Sequence, residues 1–79
     1  MTATPEITNH IRRLRFEHGE ISQQTLADRV GVTRQTILAI EANKYSPSLA
    51  LAFRIARAFN RTVEEVFQFS SAPPGDGGA

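Results

Sequence analysis

Apolar residues in the middle of the chain recur at the spacing of two short amphipathic helices. Between residues 23 and 42 they form one stripe before Gly31 and another after it, made by Leu26, Val30, Val32, Ile37 and Ile40. Ala27 is small where two steeply crossing helices would otherwise collide, and Gly31 can take the positive φ that a short inter-helix turn needs. The pattern predicts a helix, a tight turn and a second helix.

The second of these helices keeps a polar and mixed outer face. Its outward residues are Arg34, Gln35, Leu38 and Ala39, with Thr33 and Thr36 at its start. Such an arrangement is typical of a helix-turn-helix, whose second helix carries groups that contact base edges in DNA. A hairpin that only packs in a small bundle shares the apolar spacing, but the combination with Ala27 and Gly31 favours the helix-turn-helix.

A first helix is predicted upstream of this pair. Thr4 followed by Pro5 indicates its start, because proline tolerates the first helical turn, and Gly19 indicates its end just after His18. Its apolar face is predicted to contain Ile7, Ile11, Leu14 and His18.

Polar side chains that can cap helices indicate the other boundaries. The expected N-caps are Ser22 for helix 2, Thr33 for helix 3, Ser46 or Ser48 for helix 4, and Thr62, in a capping box with Glu65, for a short fifth helix. Helix 3 is expected to stop near Ala42, with Asn43 in a left-handed conformation, which asparagine tolerates better than most residues.

Helix 4, from Leu49 to about Phe59, is apolar on most of its surface. One stripe contains Leu49, Ala52, Phe53, Ala56 and Phe59, and a second contains Leu51, Ile55 and Ala58. In a protein this small, such a helix is central or also meets a partner. We expect the second stripe to contribute to a homodimer interface, with candidates Leu51, Ile55, Phe67 and Phe69. Because Phe67 and Phe69 alternate across Gln68, they also fit a brief extended segment.

With 79 residues and no cysteine, the chain is expected to form one small domain without disulfides or thiolate metal sites. We expect this domain at residues 6–69, between a frayed N-terminus at 1–5 and a disordered tail at 70–79 that is polar and rich in proline and glycine. No stretch resembles a signal peptide or is long enough to span a bilayer. The expected location is the cytoplasm, at the nucleoid when the protein is bound to DNA, and no membrane partner is expected.

Basic residues concentrate in the middle of the chain. Residues 22–61 contain six basic and two acidic side chains, a local charge of +4, which suits a polyanion partner such as double-stranded DNA. His10 and His18 have no carboxylate or cysteine at ligand spacing, and the sequence has no serine–histidine–acid set or glycine-rich phosphate loop. We therefore expect no metal, no cofactor and no enzymatic activity.

The stretch SQQTLADRVGVTRQTILAIEANKYSPSLALAFRIARAF, followed by TVEEVF, resembles the Cro/repressor-type (XRE) helix-turn-helix proteins, and RQTILAIE with NKYSPSL is similar to their small single-domain members. The resemblance implies an all-α, five-helix, lambda-repressor-like DNA-binding domain that inserts helix 3, about residues 34–42, in the major groove. By the same resemblance, Gln23 binds phosphate, Thr33, Arg34, Gln35 and Ala39 face bases, and Arg15 forms a structural ion pair with Glu41.

The side chains at the start of helix 3 suit base recognition. The Arg34 guanidinium can bind guanine O6 and N7 together, and the Gln35 amide can pair with adenine N6 and N7. The alternative for Arg34 is an exposed arginine that meets only phosphate. Leu38 and Ala39 can touch a thymine methyl group or simply make room for the helix in the groove.

Candidate phosphate ligands surround these base-facing positions: Gln23, Thr36, Asn43, Lys44 and Tyr45. Gln23 lies in the first turn of helix 2, where backbone amides and the helix dipole favour an anion. Such contacts position a protein on DNA rather than select a sequence. For Tyr45, the alternative is a ring packed on the domain with its hydroxyl in water.

These features predict a sequence-specific DNA-binding transcriptional regulator, a repressor or autoregulator. We expect it to act as a dimer on two half-sites roughly 34–36 Å apart. The alternative is a protein-interaction module on the same fold, such as an antitoxin or a regulatory adaptor.

Overall fold

The computed structural model describes residues 6–69 and contains five helices and a two-stranded sheet. The elements are β1 (Ile7–Asn9), α1 (Ile11–Glu17), α2 (Gln23–Val30), α3 (Arg34–Glu41), α4 (Leu49–Ala58), α5 (Val63–Val66) and β2 (Phe67–Phe69). The predicted all-α, five-helix class is confirmed, with one short two-stranded sheet in addition. The frayed residues 1–5 and the disordered residues 70–79 were predicted for segments that lie outside the described residues.

The sheet joins the two ends of the described chain. Its antiparallel register pairs Ile7 with Phe69, Thr8 with Gln68 and Asn9 with Phe67. β-Branched and aromatic residues favour such pairing, because their side chains pack well on a pleated surface. Of the two conformations predicted for residues 67–69, the extended one is present.

The predicted start of helix 1 is wrong. Ile7 lies in β1, and α1 begins only at Ile11, after the amide of His10 has donated to the carbonyl of Val66 at 2.9 Å. Ile7 and Ile11 are four residues apart, as on one face of a helix, but this single match is weak evidence for a helix. The backbone of Ile7 instead pairs with β2. The start signal at residues 4 and 5 lies outside the described residues.

The N-caps of α2 to α5 and the left-handed conformations of Gly31 and Asn43 are where the sequence predicts them. Ser22, Thr33 and Ser48 accept hydrogen bonds from the backbone amides of Thr25, Thr36 and Leu51, and Thr62 forms its capping box with Glu65. Gly31 has a φ of 79° and Asn43 a φ of 61°. The turn between α2 and α3 and the end of α3 are therefore set by local chemistry.

One apolar core lies among the five helices. Its members are Ile11, Leu14, Leu26, Ala27, Val30, Ile37, Ile40, Leu51, Ile55, Ala56, Phe59 and Val66. Helix α4 is central, because it packs against both α2 and α5. Within residues 6–69, no helix is long and apolar enough to cross a bilayer.

Two of the predicted dimer residues belong to this core. Leu51 is 4% exposed and Ile55 is 0% exposed, so neither can contact a second molecule. Helix α4 instead exposes part of the other predicted stripe, at Leu49 and Phe53. The sequence shows two apolar stripes on α4, but which one is covered depends on where α2 and α5 pack.

Candidate nucleic-acid interface

Helix α3 has one buried and one open face. Ile37 and Ile40 are buried against the rest of the domain, and α2 packs closely against α3. At its start, Thr33 Oγ1 accepts from the Thr36 amide at 3.2 Å and lies 3.1 Å from the Thr36 hydroxyl oxygen. These contacts hold both threonines at the N-terminal end of the open face.

The residues predicted to face bases lie on this open side of α3 and at its start. Thr33, Arg34, Gln35 and Leu38 are exposed, and Ala39 is half-buried. Leu38 keeps 42% of its surface exposed, although it is apolar. The open face thus presents a guanidinium, an amide and an apolar side chain, which are groups that can contact different base edges in the major groove.

A polar network fixes α3 relative to α1 and α2. Arg15 Nε donates to Glu41 Oε2 at 2.7 Å, and a second guanidinium nitrogen donates to Glu41 Oε1 at 3.2 Å. Arg15 also donates to the carbonyl of Ile21 at 2.9 Å, and Gln23 Nε2 donates to Glu41 Oε1 at 3.2 Å. The ion pair implied by the resemblance is therefore present. Gln23, the first residue of α2, adds a hydrogen bond to the same carboxylate.

This network is largely shielded from water. The side chains of Arg15 and Glu41 are 13% and 10% exposed. A two-point guanidinium–carboxylate contact restricts both distance and orientation, so it determines how α1 meets the end of α3. Three helices are thereby held in one geometry at the base of the open face.

The chain leaves α3 through a hydrogen-bonded turn. The amide of Asn43 donates to the carbonyl of Ile40 at 3.0 Å, and the amide of Lys44 donates to the carbonyl of Ala39 at 2.9 Å. With Asn43 in the left-handed region, this is a Schellman motif. Lys44 and Tyr45 follow it and are exposed, Tyr45 to 51%.

Sequence reasoning missed a groove between α1 and the second half of α3. Among the residues that line it are Arg12 and Phe16 of α1, and Leu38 and Ala42 at the α3 side. Phe16 is 56% exposed there. The surface around Leu38 therefore continues from α3 onto α1, which the separate patterns of the two helices do not reveal.

Sequence reasoning also missed Asn9. Its Nδ2 donates to the carbonyl of Ile40 at 2.9 Å and to Asn43 Oδ1 at 3.1 Å. The residue lies in β1, a strand that the sequence pattern assigns to a helix, so no local signal could have found it. Over the same part of the chain, residues 6–69, no cluster of histidine, cysteine and acidic residues could hold a metal ion.

The helix-turn-helix family model matches residues 11–66. The chain is 59% identical over 58 residues to an uncharacterized HTH-type transcriptional regulator of Methanothermobacter thermautotrophicus, a match that covers 72% of this chain and 83% of that protein. It is 49% identical over 59 residues to the uncharacterized HTH-type transcriptional regulator YgzD of Bacillus subtilis, which covers 75% of this chain and 88% of that protein.

A solved structure has a similar fold. It is that of a candidate DNA-binding protein from Bacteroides fragilis, with a TM-score of 0.69, 24% sequence identity, and coverage of 78% of this chain and 98% of that one. At this identity the likeness bears on the fold alone. This similarity in fold agrees with the geometry of α2 and α3. By the matched family model and the relatives, the chain belongs to the Cro/repressor-type (XRE) helix-turn-helix family.

Proposed function

We propose that this protein is a transcriptional regulator that binds specific double-stranded DNA with α3 in the major groove. The observation that carries the proposal is the open face of α3, held in one orientation by the contacts of Arg15, Glu41 and Gln23. Membership of the helix-turn-helix family and the names of the relatives support a DNA-binding regulator. A rigid helix with varied outward groups suits base recognition, because hydrogen bonds to base edges need fixed geometry.

Arg34 and Gln35 are proposed to read bases directly. Both are exposed in the first turn of α3, the part of a recognition helix that contacts base edges. Arg34 matches guanine O6 and N7, and Gln35 matches adenine N6 and N7. Thr33, Leu38 and Ala39 complete the surface that faces the bases, with the apolar pair suited to a thymine methyl group.

The proposed phosphate contacts flank that surface on both sides: Gln23, Thr36, Asn43, Lys44 and Tyr45. The amide of Gln23 carries two N–H donors, of which one is directed to Glu41 and the other can meet a phosphate. Lys44 and Tyr45 lie just beyond α3 with exposed side chains. Such contacts determine the register of the protein on the duplex.

The proposed active form is a homodimer whose interface keeps Phe67 and Phe69 of the predicted residues and excludes the buried Leu51 and Ile55. This interface is an apolar patch that consists of Ile7, Leu49, Phe53, Phe67 and Phe69, and Pro47, Ala52 and Val63 line a groove within it. Leu49 and Phe69 are each 72% exposed. A second copy of the chain is the occupant that we propose, because two α3 helices one helical turn apart read a longer site than one.

We further propose that the dimer represses transcription, by occupying DNA that other proteins would otherwise contact. The alternative, a protein-interaction module such as an antitoxin or adaptor, would use the same apolar patch. It differs from the proposed function in requiring no base recognition by α3. Selection of DNA therefore separates the two.

The test is selection of bound duplexes from a random pool, at a salt concentration that suppresses non-specific binding. We expect an enriched inverted repeat, which reports both base recognition and two-fold symmetry. In Arg34→Ala one guanine position should become degenerate, with a loss of about 1–3 kcal/mol in discrimination. Arg57→Ala, at an exposed position of α4, is the matched control and should select the same repeat. A pool without any enriched sequence would contradict the proposal.

A further inference from the structure

The side chain of Asn9 uses both ends of its amide group to join three elements. Its Oδ1 accepts from the amide of Ile11 at 3.1 Å, at the start of α1. Its Nδ2 donates to the carbonyl of Ile40 at 2.9 Å and to Asn43 Oδ1 at 3.1 Å, at the end of α3. Because the Ile11 amide can only donate and the Ile40 carbonyl can only accept, these partners determine which end of the amide faces each of them.

The carbonyl that Asn9 contacts is part of the turn that ends α3. Ile40 O accepts from the amide of Asn43 at 3.0 Å as well as from Asn9. The Asn43 side chain then accepts a second bond from the same Asn9 nitrogen. Asn9 thus contacts both the last turn of α3 and the left-handed residue whose φ of 61° directs the chain away from the helix.

We propose that Asn9 is a positioning residue for DNA binding, which holds the end of α3 so that Lys44 and Tyr45 meet phosphates. The inference rests on the proposed function. Asn9 reaches α3 from β1, and β1 is held in place by its pairing with β2. The sheet at the two ends of the described chain therefore determines the direction in which the phosphate-binding loop leaves the recognition helix.

The test uses Asn9→Ser, whose shorter hydroxyl can still accept from the Ile11 amide but cannot reach Ile40. Thr8→Ser, on the same strand, is the matched control. The first measurement is amide hydrogen exchange of Asn43 and Lys44 in the free protein. We expect exchange to accelerate on the order of tenfold in Asn9→Ser, because the turn loses two stabilising hydrogen bonds, and to stay unchanged in Thr8→Ser. Unchanged exchange in Asn9→Ser would overturn the proposal, whatever the protein binds.

The second measurement is the salt dependence of duplex binding. In Asn9→Ser the slope of log Kobs against log salt should fall by about 1, as expected when one lysine–phosphate contact is lost. The base preference read by Arg34 should remain. If Asn9 only supports the fold, the variant loses thermal stability while its slope at a temperature where it is folded equals that of the wild type, and this result would refute the positioning role.

The failure of this inference and that of the proposed function are distinguishable. A wild-type protein that selects no DNA sequence would contradict the proposed function. Hydrogen exchange would still report whether Asn9 stabilises the turn at the end of α3. If Asn9→Ser does not fold, Asn9→Thr keeps a short hydroxyl that cannot reach Ile40 and adds a β-branched side chain, which suits a strand. Amide exchange of Asn43 and Lys44 should also accelerate in Asn9→Thr, and exchange equal to that of the wild type would overturn the proposal.

Discussion

At the scale of single residues, the Glu41 carboxylate connects α3 to side chains of α1 and α2. This carboxylate accepts from Arg15 and Gln23 and is 90% shielded from solvent, as the 10% exposure of the Glu41 side chain shows. A shielded ion pair contributes little net stability when it is complete, but removing one partner leaves an uncompensated charge. The consequence of losing Glu41 is therefore larger than the strength of the pair suggests.

Glu41→Ala is expected to destabilise the domain by on the order of 3 kcal/mol, because Arg15 then keeps a charge without its partner. Glu17→Ala is the matched control: Glu17 pairs with Arg13 at 3.7 Å and Arg61 at 3.8 Å, but its side chain is 48% exposed. That variant should lose less than about 1 kcal/mol. Chemical denaturation of both proteins gives the two values, and equal losses would contradict the structural role of the Arg15–Glu41 pair.

Glu65 makes the cap of α5 sensitive to acid. The Thr62 amide, which donates to Glu65 Oε1 at 2.9 Å, lowers the pKa of Glu65, an effect that desolvation partly opposes and that the Thr62 hydroxyl and Arg61 reinforce. A carboxylate with a lowered pKa in the folded state contributes stability that is present above its unfolded pKa and is lost as the pH falls through its folded pKa.

The melting temperature of the wild type should therefore exceed that of Glu65→Gln most clearly at neutral pH. The difference should shrink as the pH falls through the acidic range, because glutamine does not titrate. Thermal unfolding of the two proteins over a pH series measures it. A difference that is constant down to the acidic end of the series would show that the carboxylate charge does not stabilise the cap.

At the scale of elements, the turn between α2 and α3 depends on backbone conformation rather than on space. Gly31 has a φ of 79°, and a Cβ added there would meet no atom within 4 Å. Gly31→Ala should therefore cost about 1–2 kcal/mol through its left-handed backbone alone. Gly31→Asn is the control and should cost less, since asparagine tolerates this region. Denaturant unfolding distinguishes them, and equal losses would indicate a steric cause instead.

The elements that the sequence predicts well are those whose signals are local. Ser22, Thr33 and Thr62 cap helices through contacts three residues away, and Gly31 and Asn43 take the left-handed conformation in place. Local sequence patterns therefore predict α2, α3, α5 and the open face of α3, which contains most of the candidate site.

The elements that the sequence predicts badly depend on residues far away in the chain. β1 forms because Ile7–Asn9 meets Phe67–Phe69, a partner about 60 residues later, and no local pattern shows this. Likewise, Leu51 and Leu49 are equally apolar, but in the helix that packs against α2 and α5 only Leu51 is buried. Asn9 was missed for the first of these reasons, and the exposed apolar surface at Leu49 and Phe53 for the second.

At the scale of the whole molecule, the end of α3 lies next to the apolar patch. Asn43, Tyr45 and Ser46 line one small cavity together with Ile7 and Phe67 of the patch. A second copy bound at the patch would therefore lie close to the loop that follows α3. Dimer geometry and the spacing of the two half-sites are then coupled, because the contact between copies determines the distance between the two α3 helices.

Phe53→Ser tests whether the patch joins two copies. Phe53 is 50% exposed on α4, and Phe16, 56% exposed on α1, lies outside the patch and serves as the matched control. We expect the wild type and Phe16→Ser to be dimers by light scattering at micromolar concentrations. Truncating an aromatic side chain of the patch should raise the dimer Kd of Phe53→Ser by about 30-fold or more. Its affinity for the full inverted repeat should fall with it, while its affinity for one half-site stays unchanged, because α3 itself is intact. A wild type that is monomeric under these conditions and still selects an inverted repeat would mean that DNA, rather than the patch, brings the two copies together.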